Sequence, residues 1–189
     1  MAKNALIVVD VQNDFCQGGA LAASNTDSLL VPLKEFIEKA RKAGAVIVYT
    51  QDWHPPAHSS FKANGGPWPV HCVAESAGAQ LKSPLSAQMG DIVIHKGVAV
   101  DSAGYSGFEG TELASKLKSL QVNRVSVAGI ATEYCVAATA LDAAKAGFGT
   151  SVLTDLIRAV DEKATAGMLE KCEAAGVETV SSEEWLESL

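Results

Sequence analysis

Cationic residues are in the minority. Lysine and arginine total 15 against 22 aspartates and glutamates, for a formal charge of −7 at pH 7. A surface of that sign repels nucleic-acid phosphate and anionic lipid, so neither is expected as a partner. No apolar run approaches the ~20 residues that a membrane helix needs. The opening Met-Ala-Lys-Asn runs straight into an apolar stretch, without a small-residue cleavage site, so no export signal is read. Cysteine is scarce. The four are Cys16, Cys72, Cys135 and Cys172, and their spacings match no zinc-knuckle or disulfide-scaffold pattern. The expected compartment is therefore the reducing cytoplasm. Charged residues make up only 20% against 48% apolar, a globular balance that excludes disorder. A chain of 189 residues suffices for one well-buried domain and is short for two, so residues 1–189 are read as a single domain.

What is present is an alternation of apolar runs and helical patterns. Strands are expected at Ala5–Val9, Ala45–Thr50, Asp91–His95, Val125–Gly129, Thr150–Thr154 and Val177–Val180. Helices are expected at Ser28–Ala43, Thr111–Leu120, Glu133–Ala146, Asp161–Ala174 and Ser182–Leu189. Gly44 and Gly147 close two of them, as a helix C-terminal glycine does. Continuous apolar strands separated by helices indicate a three-layer α/β/α fold, with six mostly parallel strands and helices on both faces. The segment 51–85 breaks the alternation. It holds five of the six prolines, three of the four histidines and two of the three tryptophans. A loop that long and that rich in special residues is more often functional than idle.

In an open parallel sheet, ligands bind beyond the carboxyl ends of the strands. Asp10 follows the first expected strand, Asp52 and His54 the second, Lys96 the third, and Gly129-Ile-Ala-Thr-Glu-Tyr-Cys135 the fourth. Each has an ordinary reading. Asp10 alone is a turn or cap residue, Lys96 covers a sheet edge, and Cys135 is a small core side chain. Together they form a constellation: a thiol at a helix start, which favours the thiolate, an ammonium acting in the same direction, and a carboxylate to move the proton. Cys172 reads as packing; the roles of Cys16 and Cys72 stay open.

Asp52-Trp53-His54 places two ligand types two residues apart, and in extended chain such positions point the same way. His71 offers a third ligand. Two nitrogens and one carboxylate, with positions left for water, suit one divalent ion: zinc, iron or manganese. His58 and Ser60 lie between them. His58 and His95 are read first as hydrogen-bonded structural histidines.

The segments ALIVVDVQNDF, DWHPPAHSSF, WPVHCV, HKG, DSAGYSGF and GIATEYCV, in this order, resemble the nicotinamidase branch of the isochorismatase-like cysteine hydrolases. The resemblance runs from Ala5 to about Asp155. It implies an amidase that hydrolyses nicotinamide, and pyrazinamide with it, with Asp10, Lys96 and Cys135 as the catalytic triad. It implies Asp52, His54 and His71 as ligands of a divalent ion that takes the pyridine nitrogen, with Ser60 where some members carry a fourth ligand. Phe15 and Trp68 match aromatic residues that flank the ring, and Tyr105 is a further pocket residue. In the family the bond matching Ile130–Ala131 is cis, which aims the Ala131 N–H, with that of Cys135, at the substrate oxygen. Members often self-associate, so a homo-oligomer is in keeping with the resemblance. Competing readings are another amidase of the same fold, a non-catalytic module, and a thiol–metal redox sensor. True isochorismatases lack the cysteine and this ligand set.

Overall fold

The computed structural model describes residues 3–188. Its first strand, β1 (Lys3–Val9), holds five fully buried apolar side chains in a row, from Ala5 to Val9. Such a run has no solvent face, so both sides of the sheet must be covered. Ala5, Ile7 and Val9 enter one apolar cluster and Leu6 and Val8 the other, the two-residue period of a pleated strand.

The remaining elements are α1 (Asp27–Lys42), β2 (Val46–Asp52), β3 (Ile92–Lys96), α2 (Leu113–Ser119), β4 (Val122–Ile130) and α3 (Ala137–Lys145). Then follow β5 (Gly149–Arg158), α4 (Glu162–Ala174), β6 (Glu178–Val180) and α5 (Ser182–Glu187). The sheet order is β3-β2-β1-β4-β5-β6, and every pairing is parallel. Leu29, Leu33, Phe36 and Ile37 of α1, with Trp185 of α5, cover one face. Leu113 and Leu117 of α2, Ala140 and Ala143 of α3, and Cys172 of α4 cover the other. The expected three-layer α/β fold is thus what forms. No helix among the described residues is long and apolar enough to cross a membrane.

Several boundaries differ from expectation. The structure ends α5 at Glu187, and Leu189 lies outside the described residues. Expected to stop at Thr154, β5 runs on to Arg158, with a register shift against β4, and Leu153 and Leu156 enter the cluster of Leu6 and Val8. The helix expected from Glu133 begins instead with a wide π-type turn, Thr132–Val136, before α3. Finally, Asp52 and Lys96 close β2 and β3 rather than following them, because the two strands pair Asp52 directly with Lys96.

The strand order reverses direction between β1 and β4. The chain steps outward from β1 through β2 to β3, then crosses to β4 on the opposite side. A crevice opens at such a switch point, beyond the carboxyl ends of the two strands. Asp10 follows one of them and Cys135 the other.

Candidate active site

Asp10 leaves β1 in a left-handed conformation, φ 48°, that a non-glycine residue adopts only under tertiary constraint. The turn carries its carboxylate back over the sheet. There Oδ1 accepts a hydrogen bond from the Thr50 hydroxyl at 2.7 Å, and Oδ2 lies 2.8 Å from Lys96 Nζ. Lys96 is fully buried. Its ammonium also contacts an Asp52 carboxylate oxygen, donates to the Gly104 carbonyl at 2.6 Å, and lies 3.4 Å from Cys135 Sγ. One cation thus joins two carboxylates and a thiol, brought together from four strand ends.

Burial alone would lower the Lys96 pKa, but Asp10 and Asp52 outweigh it and hold the ammonium well above its ordinary value. Asp10 moves the other way. Its burial is strong enough to raise the pKa despite the neighbouring ammonium. Cys135 corrects the expectation of a favoured thiolate. Burial, joined by the charges of Asp10 and Asp52, pushes the thiol well above its usual range, and Lys96 offsets only part of this. The resting sulfur is therefore a thiol, with the Asp10 carboxyl group beside it. A nucleophile in that state needs a base at the moment of reaction, and Asp10 is the carboxylate in place.

Ligand-type atoms of Asp52, His54 and His71 lie within 4.8 Å of one another, all three residues buried. His54 Nε2 is 3.3 Å from Asp52 Oδ2. The outer nitrogens are engaged: Nδ1 of His54 donates to the Gly97 carbonyl at 2.9 Å, and Nδ1 of His71 to the Pro69 carbonyl at 2.7 Å. A carbonyl only accepts, so each Nδ1 carries a proton, and in the neutral ring Nε2 is then the nitrogen that offers a lone pair. That tautomer is the one a metal-ligating imidazole takes, and the donor set fits a divalent cation. Gly97 sits hard against this arrangement, since a Cβ there would lie 2.4 Å from the His54 ring. A second cluster of ligand types, Asp10, Asp52 and Cys135, surrounds the Lys96 ammonium, which already supplies its positive charge.

Ser60 bonds to a neighbouring histidine. Its Oγ is 2.7 Å from His58 Nδ1, and the buried His58 ring stacks on His54 at 4.0 Å. His95 stacks on Trp53, away from the site. Cys16 and Cys72 are buried free thiols, and burial pushes the Cys16 thiol up to about 11.

Between the thiol and His71 lies a cleft of about 450 Å³, its solvent-open mouth included. Phe15, Trp68, Tyr105 and Ala131, all expected from the sequence, line it. Trp68 Nε1 donates to the Tyr105 hydroxyl at 3.1 Å. The Ile130–Ala131 peptide is cis. Sequence reasoning missed Leu21, Tyr134 and Val160. Tyr134 meets Trp68 edge-on at 5.3 Å and stacks with Tyr105 at 6.0 Å. Glu133 holds Val160 at the cleft by accepting from the main-chain N–H groups of Val160 and Asp161. Tyr134 was within reach of the sequence, one residue before Cys135. Leu21 and Val160 carry no chemical signal.

This geometry has relatives. The chain is 39% identical to the nicotinamidase/pyrazinamidase of Mycobacterium tuberculosis, over 94% of this chain and 98% of that protein. Its fold superposes on the pyrazinamidase of Pyrococcus horikoshii in complex with zinc, with a TM-score of 0.91 and 43% identity over 95% of this chain and 99% of that one. It also superposes on PnC1 from L. infantum in complex with nicotinate, with a TM-score of 0.88 and 40% identity over 96% and 94% of the two chains. Residues 4–184 match the isochorismatase domain, and this chain belongs to the isochorismatase family.

Proposed function

We propose that this chain is a nicotinamidase, a hydrolase that converts nicotinamide to nicotinate and ammonia through a thioester on Cys135, and that it also hydrolyses pyrazinamide. The observation that carries this reading is the meeting of Asp10, Lys96 and Cys135 beside a cleft that Asp52, His71 and four aromatic side chains also line. The names of the relatives, and the nicotinate held by one of them, support the substrate.

Phe15 and Trp68 sandwich the pyridine ring, and their packing brings the carboxamide carbon to Sγ. Asp10 takes the thiol proton as sulfur attacks that carbon. The N–H groups of Ala131 and Cys135 hold the oxyanion; a single such donor contributes about 3 kcal/mol in comparable sites. Asp10 passes its proton to the leaving nitrogen, the C–N bond breaks and ammonia departs. Water then attacks the thioester, gives a proton to Asp10, and the C–S bond breaks to release nicotinate. Cys135 recovers its proton. Throughout, Lys96 keeps Asp10 oriented and balances the buried negative charge.

A divalent cation would be held by Asp52, His54 and His71, with zinc favoured over iron or manganese, as the zinc in the P. horikoshii relative supports. The chemistry it supplies when bound is Lewis acidity, toward a pyridine nitrogen and toward water. The free state of all four cysteines suits the reducing cytoplasm. The test is direct. Zinc-loaded protein given nicotinamide releases ammonia and nicotinate in equal amounts, and a wild-type protein that releases neither overturns the reading.

A further inference from the structure

We infer that Gln12 and Asp14 are positioning residues for the cation site, gripping the main chain at Asp52 and beside His71 so that both ligands are set before a cation arrives. The inference rests on the cation site proposed above.

Asp10, Gln12 and Asp14 alternate along one short segment. Gln12 is fully buried. Its Oε1 accepts from the Asp52 N–H at 2.8 Å, and its Nε2 donates to the carbonyls of Asp52 at 2.9 Å and Ala79 at 2.8 Å. A carboxamide has two N–H donors, and both are engaged. The side chain thus acts as one more peptide group laid across the end of β2. Gln51 Nε2 donates to the same Ala79 carbonyl at 2.8 Å. Together they tie the strand end that carries Asp52 to the segment that follows His71.

Asp14 grips that segment at its start. Its Oδ2 accepts from the Cys72 N–H at 2.8 Å, the peptide immediately after His71. Cys72 is itself left-handed, φ 44°, a conformation its surroundings must hold. The Asp14 N–H donates to the Gly78 carbonyl at 3.1 Å. Asn13 continues the seam to the carbonyls of Gln80 at 2.9 Å and Ala77 at 2.7 Å. Gly78 leaves the room this requires, because a Cβ there would lie 2.0 Å from Asp14 Oδ2. Next in the chain, the Phe15 ring lies 5.5 Å from the His71 ring. The segment touches both ligand-bearing stretches without belonging to the ligand cluster. Partners that orient metal ligands in this way commonly govern affinity by about ten- to a hundredfold.

The test uses the full chain and Zn²⁺ itself. Its Kd is read by competition with a chromophoric chelator, and the visible absorption of the Co²⁺ form reports ligand geometry. Gln12→Met, Asp14→Ala and Gly78→Ala should each weaken Zn²⁺ binding by about tenfold or more and shift the Co²⁺ band. Asp14→Asn keeps an oxygen for the Cys72 N–H and should return to within about threefold of wild type. Leu117→Ala, in the core of the opposite face, is the control for lost stability. It should lower Tm yet keep Kd within about twofold, since only the native state binds. If Gln12→Met does not fold, Asp14→Ala and Gly78→Ala, with Asp14→Asn as the rescue, carry the test. Folded variants that bind Zn²⁺ within about twofold of wild type, or a control that weakens equally, overturn the positioning role. A wild-type protein that takes up no Zn²⁺ overturns the cation site, and this inference with it.

Discussion

At Cys135 two demands conflict: a nucleophile should be a thiolate, yet one that is buried next to two carboxylates resists ionisation. A base that acts only during attack resolves the conflict, and the Asp10 carboxylate is held ready by Thr50 and Lys96. The sign of the pKa shift gives a measurable consequence. With the thiol pKa raised, the protonated form dominates at neutral pH, and the thiolate fraction grows about tenfold per pH unit. Alkylation of Cys135 by iodoacetamide should therefore keep rising between about pH 7 and 9, where a low-pKa thiolate would already have levelled off. A plateau near neutrality would contradict the electrostatics described here. Asp10→Asn keeps the shape and removes the base. It should lower kcat by at least about a hundredfold, the low end of what a positioned base contributes. A variant that keeps most of its kcat would move the base elsewhere.

At the scale of elements, the site is a product of register. Parallel pairing sets Asp52 beside Lys96, so the ammonium that lies against the Cys135 thiol also touches a proposed cation ligand. The same strand ends were legible in the sequence, because apolar runs that stop at Asp10, Asp52 and Lys96 mark the carboxyl edge of a sheet. Cys135 was legible too, although the helix expected to begin at Glu133 starts as a π-type turn. Less legible were the grips at Gln12 and Asp14, whose bonds reach main-chain groups 40 and 58 residues away. No local pattern encodes partners that only folding brings near. The cleft wall divides in the same manner. Trp68 and Tyr105 stand out as aromatic residues in loops, whereas Leu21 and Val160 gain their place only from neighbouring loops. Trp68→Ala removes ring stacking and buried area, so KM for nicotinamide should rise by about tenfold or more with a smaller change in kcat. Tyr105→Phe loses only the Trp68 hydrogen bond, about 1 kcal/mol, and should raise KM less. Steady-state kinetics on folded variants checks both. An unchanged KM in Trp68→Ala would remove that ring from the pocket.

For the whole molecule, the sheet order places Asp10 and Cys135, the proposed base and nucleophile, just beyond the two strands that flank the switch point, with the long β2–β3 connection folded back to carry His54 and His71. The alternating apolar pattern made this layer order readable from the sequence. The depth of burial that raises the Cys135 pKa was not, since it depends on every loop that closes over the sheet. A cation bound only by the native state adds to stability. Chelation should therefore lower Tm and Zn²⁺ should restore it, with about 3 kcal/mol regained at a hundredfold excess of free ion over Kd. Benzamide, which lacks a ring nitrogen, should react on the order of a hundredfold more slowly than nicotinamide or pyrazinamide. Equal rates would contradict a template role for the cation. The most direct measurement is an acid quench during turnover of nicotinamide, followed by peptide mapping by mass spectrometry. The expected result is a nicotinoyl group on the peptide that carries Cys135, and none in Cys135→Ala, which releases no ammonia. Ammonia release at the normal rate from Cys135→Ala would contradict the account.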